Sequence, residues 1–271
     1  MLIRIGFDIE FDLPASCMMT CMLYTHPSVS RQLLKPDELR VEPDLQVHTY
    51  WDLFGNRCGR IMAPAGPLRL QNDTLVEDSG RPDIVVTGAR QTPVEALPDE
   101  TLVYLLGSRY CEVDRFSALA WQLFGSALTG WPRVQAICDW VHQHVSFDYM
   151  QTRPTKTAWD VYTEKFGVCR DFQHLAITLC RCLNIPARYA TGYLGDIGVP
   201  PPAYPMDFSA WFQVYLDGRW YDFDARNNRP RIGRILMATG RDAVDVALTT
   251  SFGTADLKKF VVWTDVVAEN S

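Results

Sequence analysis

No run of this sequence approaches the roughly 18 apolar residues that a membrane-spanning helix needs, so a helical membrane protein is excluded. Lys/Arg clusters are also missing, and acidic residues outnumber basic ones 32 to 26. The electrostatic footprint of a nucleic-acid or anionic-membrane binder is therefore absent, and neither partner is expected. There is no internal repeat and no low-complexity tract. Histidine is scarce, with five residues in all, at 26, 48, 142, 144 and 174. Cysteine is not scarce, but its eight positions (17, 21, 58, 111, 138, 169, 180 and 182) have irregular spacings in a chain too long to need disulfide staples. Cys17-x3-Cys21 and Cys180-x-Cys182 have no His or second Cys pair at zinc-finger spacing, and they read as buried small hydrophobes. The first twelve residues alternate apolar and polar side chains, acidic ones among them, where a signal peptide has a basic start and a continuous apolar stretch. They read as a strand, and reduced thiols in a bacterial-type cytoplasm are the expected setting.

What is present is ordinary globular composition: 47% hydrophobic and 21% charged residues, with 17 Gly and 17 Pro spread over 271 positions. Residues 2–12, 18–25, 45–52, 58–62 and 68–76 are short strand-like runs separated by Pro, Gly, Asn and Asp. Gly55-Asn56 predicts a tight hairpin turn. The pattern changes across Pro93 and Pro98, which places a boundary near residue 95. The expected organisation is an all-β domain over 1–95 and an α+β domain over 96–271.

In the second part, Asp114 can cap a helix to about Phe124, and Trp131-Pro132 opens another to about His144. Ile137, Trp140 and Val141 make its buried face. Strands return at Arg188–Tyr193, Phe208–Leu216 and Arg219–Asp224, joined in part by a proline-rich loop at 199–205.

Cys169 opens a third helix. Phe172, Leu175, Ala176, Leu179 and Leu183 recur at helical spacing, and Asn184-Ile185-Pro186 supplies a C-cap and a stop. Gly167 lets the chain turn just before it. A thiol at the first helical position meets free N–H groups and the positive end of the macrodipole, which favour a thiolate. Cys180 and Cys182, at the other end, read as structural.

Asp217-Gly218 is a two-residue hairpin turn that pairs Leu216 with Arg219 and, counting outward, Trp211 with Asp224 and Ser209 with Arg226. Side chains alternate, so 209, 211 and 213 share a face with 222, 224 and 226. Position 209 is then the diagonal neighbour of Asp224, roughly 7–8 Å away at the backbone. An imidazole at 209 would reach that carboxylate, whereas a serine is too short to do so directly.

Gly167-Val168-Cys169-Arg170-Asp171-Phe172 running into Ile185-Pro186-Ala187-Arg188-Tyr189-Ala190-Thr191-Gly192-Tyr193 resembles the transglutaminase-like core. Ser209-Ala210-Trp211 looks like that family's His-Ala-Trp, and Asp222-Phe223-Asp224 like the segment bearing its aspartate. The β-rich first part, with its Phe-Gly-Asn turn, is similar to the N-terminal domain attached to many bacterial members. The resemblance implies an α+β, papain-like core in which Cys169 attacks a carbonyl carbon. It forms a thioester and passes the acyl group to water or an amine. The implied substrate is a peptide, a protein or a small amide, with no cofactor. Calcium, which some animal transglutaminases need, finds no loop of clustered carboxylates here, so no metal is expected.

The departure at Ser209 removes the group that takes the thiol proton and returns it to the leaving amine. His174 lies about 140° round the helix from Cys169. His142 and His144 end the preceding helix, and His26 and His48 belong to the β-rich part, so surface or structural roles are expected for all five. Trp159, Tyr193 and Trp211 are candidate cleft walls. Three readings follow: a cysteine hydrolase or acyltransferase impaired by Ser209, a non-catalytic peptide or small-amide binding module, and a structural role with a self-filled cleft.

Overall fold

The computed structural model describes residues 1–151, 153–201 and 205–267. Three antiparallel four-stranded sheets carry the fold. In the first, the strand order is Asp256–Val267, Leu2–Leu13, Gly66–Glu77 and Arg40–Glu42; in the second it is Thr249–Ser251, Cys17–Cys21, Arg57–Ala63 and His48–Trp51. The third runs Arg219–Phe223, Ser209–Leu216, Ala187–Leu194 and Arg234–Gly240. Helices cover one face of that sheet, which makes the chain α+β.

Strand alternation explains the first core. Ile3, Ile5, Phe7, Ile9, Phe11 and Leu13, every second residue of one strand, are buried together with Cys17, Met19, Ile61 and Leu70 from both N-terminal sheets. Tyr193, Phe208, Ile235 and Met237 of the later chain complete that cluster, so the two halves share apolar surface.

The chain departs from a simple split at residue 95. Asp256–Val267 pairs with Leu2–Leu13 over its length, from Leu2 opposite Val267 to Asp12 opposite Asp256, and Thr249–Ser251 pairs with Cys17–Cys21. The β-rich unit therefore includes residues 249–267 as well as the N-terminal part, where the pattern of the sequence predicts a second domain over 96–271. The pattern of Leu2–Leu13 fixes which face is buried but not which strand covers its second edge. The turn at 51–56 also differs: Trp51 pairs with Arg57, leaving a five-residue loop rather than a tight turn. The Asp52 carboxylate organises it by accepting from the backbone N–H groups of Phe54 and Asn56 and from the Asn56 side chain.

The helix Cys169–Cys182 packs against the third sheet, burying Phe172, Leu175, Ala176 and Leu179 against Ala210, Phe212 and Val214. Phe212 is fully buried, and removing one such side chain from water stabilises by about 1.5–3 kcal/mol. The helix ends as its sequence predicts, with Asn184 at φ 60° and the N–H of Ile185 donating to the Cys180 carbonyl at 3.0 Å. The hairpin register is also the predicted one: Leu216 lies opposite Arg219 and Phe212 opposite Phe223, with Asp217 and Gly218 both at positive φ.

Candidate active site

Seven of the eight cysteines are buried and Cys169 alone is half-buried. Its helix starts where expected, but Gly167 serves a different purpose from the one read in the sequence. A Cβ there would meet the Asp171 side chain at 2.6 Å. That space is needed because the Asp171 carboxylate folds back to accept the Val168 N–H at 2.9 Å, capping the first turn. Asp171 is itself fully buried and held by Arg170.

Burial pushes the Cys169 thiol up from its ordinary value. The positive charge of Arg226 and the N–H groups of Ala210 and Arg170 pull it down, Asp207 pushes it up, and the balance is a raised thiol. The helix start alone predicted the opposite. The sequence contained the N-terminal N–H groups but not the apolar surroundings or the carboxylate facing them.

Cys169 opens on a cavity of about 350 Å³ that it shares with Ser209, Tyr149, Asp207, Arg226 and Asn227. The Ala210 N–H at the sulfur puts Ser209 one residue from the thiol's own contact. Asp207 is half-buried, and the water it loses pushes its carboxyl up, while its charge raises the Tyr149 hydroxyl. Among the described residues no histidine lines this cavity. His142 lines a neighbouring cavity that shares Phe147, Arg226 and Asn227. His174 is buried, stacked at 4.9 Å on Tyr110, and accepts the Ala243 N–H. His144 bonds the Tyr162 carbonyl.

Asp224 lies one residue past the paired part of the hairpin. Burial raises its carboxyl, but Arg234 at 3.5 Å and hydrogen bonds from Asn227 and Gln173 outweigh that and hold it below its ordinary value. Oδ1 also accepts the backbone N–H groups of Arg226 and Asn227, both at 3.0 Å. The Ser209 hydroxyl is not among its partners. The predicted sharing of faces holds one step down the ladder, where the Trp211 and Gln213 side chains both donate to Asp222 at 2.8 Å.

The structure puts none of the three predicted cleft aromatics on the cavity wall. Trp159 packs on Phe116 and Tyr162 among the helices. Tyr193 packs on Phe208 in the β-rich core. Trp211 is buried beneath the Arg234 guanidinium. Large apolar rings find dry partners first, and an aromatic residue in sequence carries no sign of which one. The groups that do line the cavity left readable traces. Asp207 is two residues before Ser209, and Arg226 is the hairpin partner counted for 209.

Residues 117–225, a span that contains Cys169, Ser209 and Asp224, match the model of the transglutaminase-like superfamily. A crystal structure of a candidate cysteine protease from Cytophaga hutchinsonii superposes with a TM-score of 0.86 at 29% identity, covering 100% of this chain and 92% of the other. An uncharacterized protein of Mycobacterium leprae is 24% identical over 243 residues, spanning 88% of this chain and 87% of its own. This fold supports a hydrolase or acyltransferase function at the level of the family. The core formed by residues 117–225 belongs to the transglutaminase-like superfamily.

Proposed function

We propose that the Cys169 cavity is a cysteine acyl-transfer site for amide or peptide bonds, working through a thioester, and that this chain is impaired because Ser209 stands at the histidine position. The observation that carries the reading is the half-buried thiol at a capped helix start, opening on a cavity it shares with Ser209. In this chemistry sulfur attacks the acyl carbon, the amine leaves with a proton, and water or a second amine takes the acyl group. A base must accept the thiol proton and return it to the leaving amine. Serine has no pKa near neutrality, and a thiol raised by burial supplies few thiolates by itself.

The test is Ser209→His, assayed on a panel of neutral thiol-protease esters, peptides and amine acceptors. Turnover is expected to rise by a factor on the order of 10² to 10⁴, the usual contribution of a positioned general base. Adding Cys169→Ala should return it to background. A folded Ser209→His protein that forms no acyl-enzyme and turns over nothing on the panel would sink this reading. The raised thiol specifically favours a second one, a binding module whose affinity for peptide or small amide is unchanged by Cys169→Ala.

A further inference from the structure

We propose that the Cys169 cavity selects small acyl compounds that carry a carboxylate, bound by Arg226, Arg229 and Arg231. This deepens the acyl-transfer reading above and rests on it for the chemistry, but not for the binding.

The chain as a whole is acidic, with a formal net charge of −6, yet the wall of this cavity reverses the sign. Three arginines, 226, 229 and 231, line it against two aspartates, 196 and 207.

Arg231 is only 6% exposed. It donates through one terminal nitrogen to the Gly195 carbonyl at 2.8 Å and through the other to Asn227 Oδ1 at 3.2 Å, while its Nε has no partner. Asp196 pairs with it at 4.0 Å, and the Asp224 charge also acts on it. A buried cation with carbonyl partners, an unpartnered Nε and an ion pair stretched to 4.0 Å is an arrangement that an incoming anion relieves. Arg229 is exposed at the same wall and makes no ion pair or hydrogen bond among the described residues. Arg226 lies with its guanidinium 4.2 Å from the Phe147 ring centre and close enough to Cys169 for its charge to act on the thiol. A carboxylate held there sits beside the sulfur.

The arginines are positioned in advance. Asp224 accepts the N–H groups of Arg226 and Asn227 and the Asn227 side-chain amide, and Asn228 takes a left-handed turn at φ 48°. The segment 226–231 is thereby pinned to the buried end of the hairpin, so little ordering is left for the ligand to bring about. Planar guanidinium groups match a carboxylate with two parallel hydrogen bonds. At about 350 Å³ the cavity is at the low end of the roughly 300–1,000 Å³ usual for small-molecule sites, which fits one or two residues of an acyl compound.

The experiment uses the full chain carrying Cys169→Ala, so that binding is read without turnover. Matched pairs are titrated calorimetrically at low and high salt: N-acetylglycine, N-acetylalanine and N-acetylglutamine against their carboxamides, with inorganic phosphate as a further arm. The carboxylates are expected to bind tighter by on the order of tenfold or more, the scale of a charge-assisted hydrogen bond against a neutral one, and to lose that margin as salt rises. Arg229→Gln, at an exposed position that does not threaten folding, should cut the preference several-fold, and adding Arg231→Gln should abolish it. Equal binding of acid and amide overturns the proposal. So do a preference untouched by Arg229→Gln, phosphate binding as tightly as the carboxylates, and no saturable binding by any compound. The acyl-transfer reading is tested separately, by turnover of neutral esters in Ser209→His, so either can fail while the other stands.

Discussion

Asp224 and Ser209 stand at the ends of neighbouring strands, yet their surroundings are arranged to opposite effect. Around Asp224 each carboxylate oxygen is occupied, by backbone N–H groups, Asn227, Gln173 and the Arg234 guanidinium. Around Ser209 lie a cavity, a thiol and a half-buried carboxyl, and among the described residues no histidine lines that cavity. The acid side is a closed network that shapes the segment carrying Arg226, whereas the base side is open. Removing a catalytic imidazole from such a site need not disturb the fold, because the aspartate has enough other partners to stay charged and fixed.

This contrast can be broken from either side. The largest effect belongs to the base side, where Ser209→His is expected to raise turnover as set out above. On the acid side, Asp224→Ala should cost about 3–5 kcal/mol of stability in denaturant titration, because it takes the acceptor from Gln173, Asn227 and the Arg226 N–H and leaves buried Arg234 with Asp83 as its remaining ion pair, at 3.0 Å. A loss under 1 kcal/mol would mean that the network is slack and the two sides are alike. Asp224 also gives a pH signature. Its carboxyl is held below the ordinary value, so its stabilisation is fully present above about pH 4 and is lost as pH falls through the folded-state value. Asp224→Asn should lose that component of the acid dependence, as read by thermal unfolding against pH.

Smaller effects sharpen the account of the thiol. Gly167→Ala pushes a methyl into the Asp171 side chain and should cost about 1–3 kcal/mol, while slowing Cys169 alkylation as the cap is displaced. Unchanged stability would show that Asp171 yields without loss. The smallest expected change is in Asp207→Asn, which removes a charge that pushes the thiol up. The alkylation profile of Cys169 should move to lower pH, while the unaltered protein keeps gaining rate past the ordinary thiol range near pH ~8.5. A plateau below about pH 6 in the unaltered protein would reveal a cationic partner and reopen the case for His142.

Local features were legible from the residues themselves. The helix from Cys169 and the hairpin at Asp217-Gly218 depend on short-range periodicity and turn chemistry, and both have the predicted register. Counting along that hairpin puts position 209 on the Asp224 side of the ladder, whereas its relation to the thiol is implied only by the family resemblance. The cleft aromatics were not legible, because Trp159, Tyr193 and Trp211 find burial partners distant in sequence.

By itself the sequence determined the α+β class, the cysteine at a helix start and the serine on the Asp217-Gly218 hairpin, since each is set by spacings of a few residues. Tertiary structure decided the rest. The C-terminal strand crosses the chain to complete the first sheet, because an open strand edge takes whichever partner packs against it. The thiol is raised rather than lowered, because desolvation and the Asp207 charge are sums over neighbours from different elements. Arg226, Arg229 and Arg231 turn one cavity positive within an acidic chain, because charge along a sequence says nothing about which side chains share a wall.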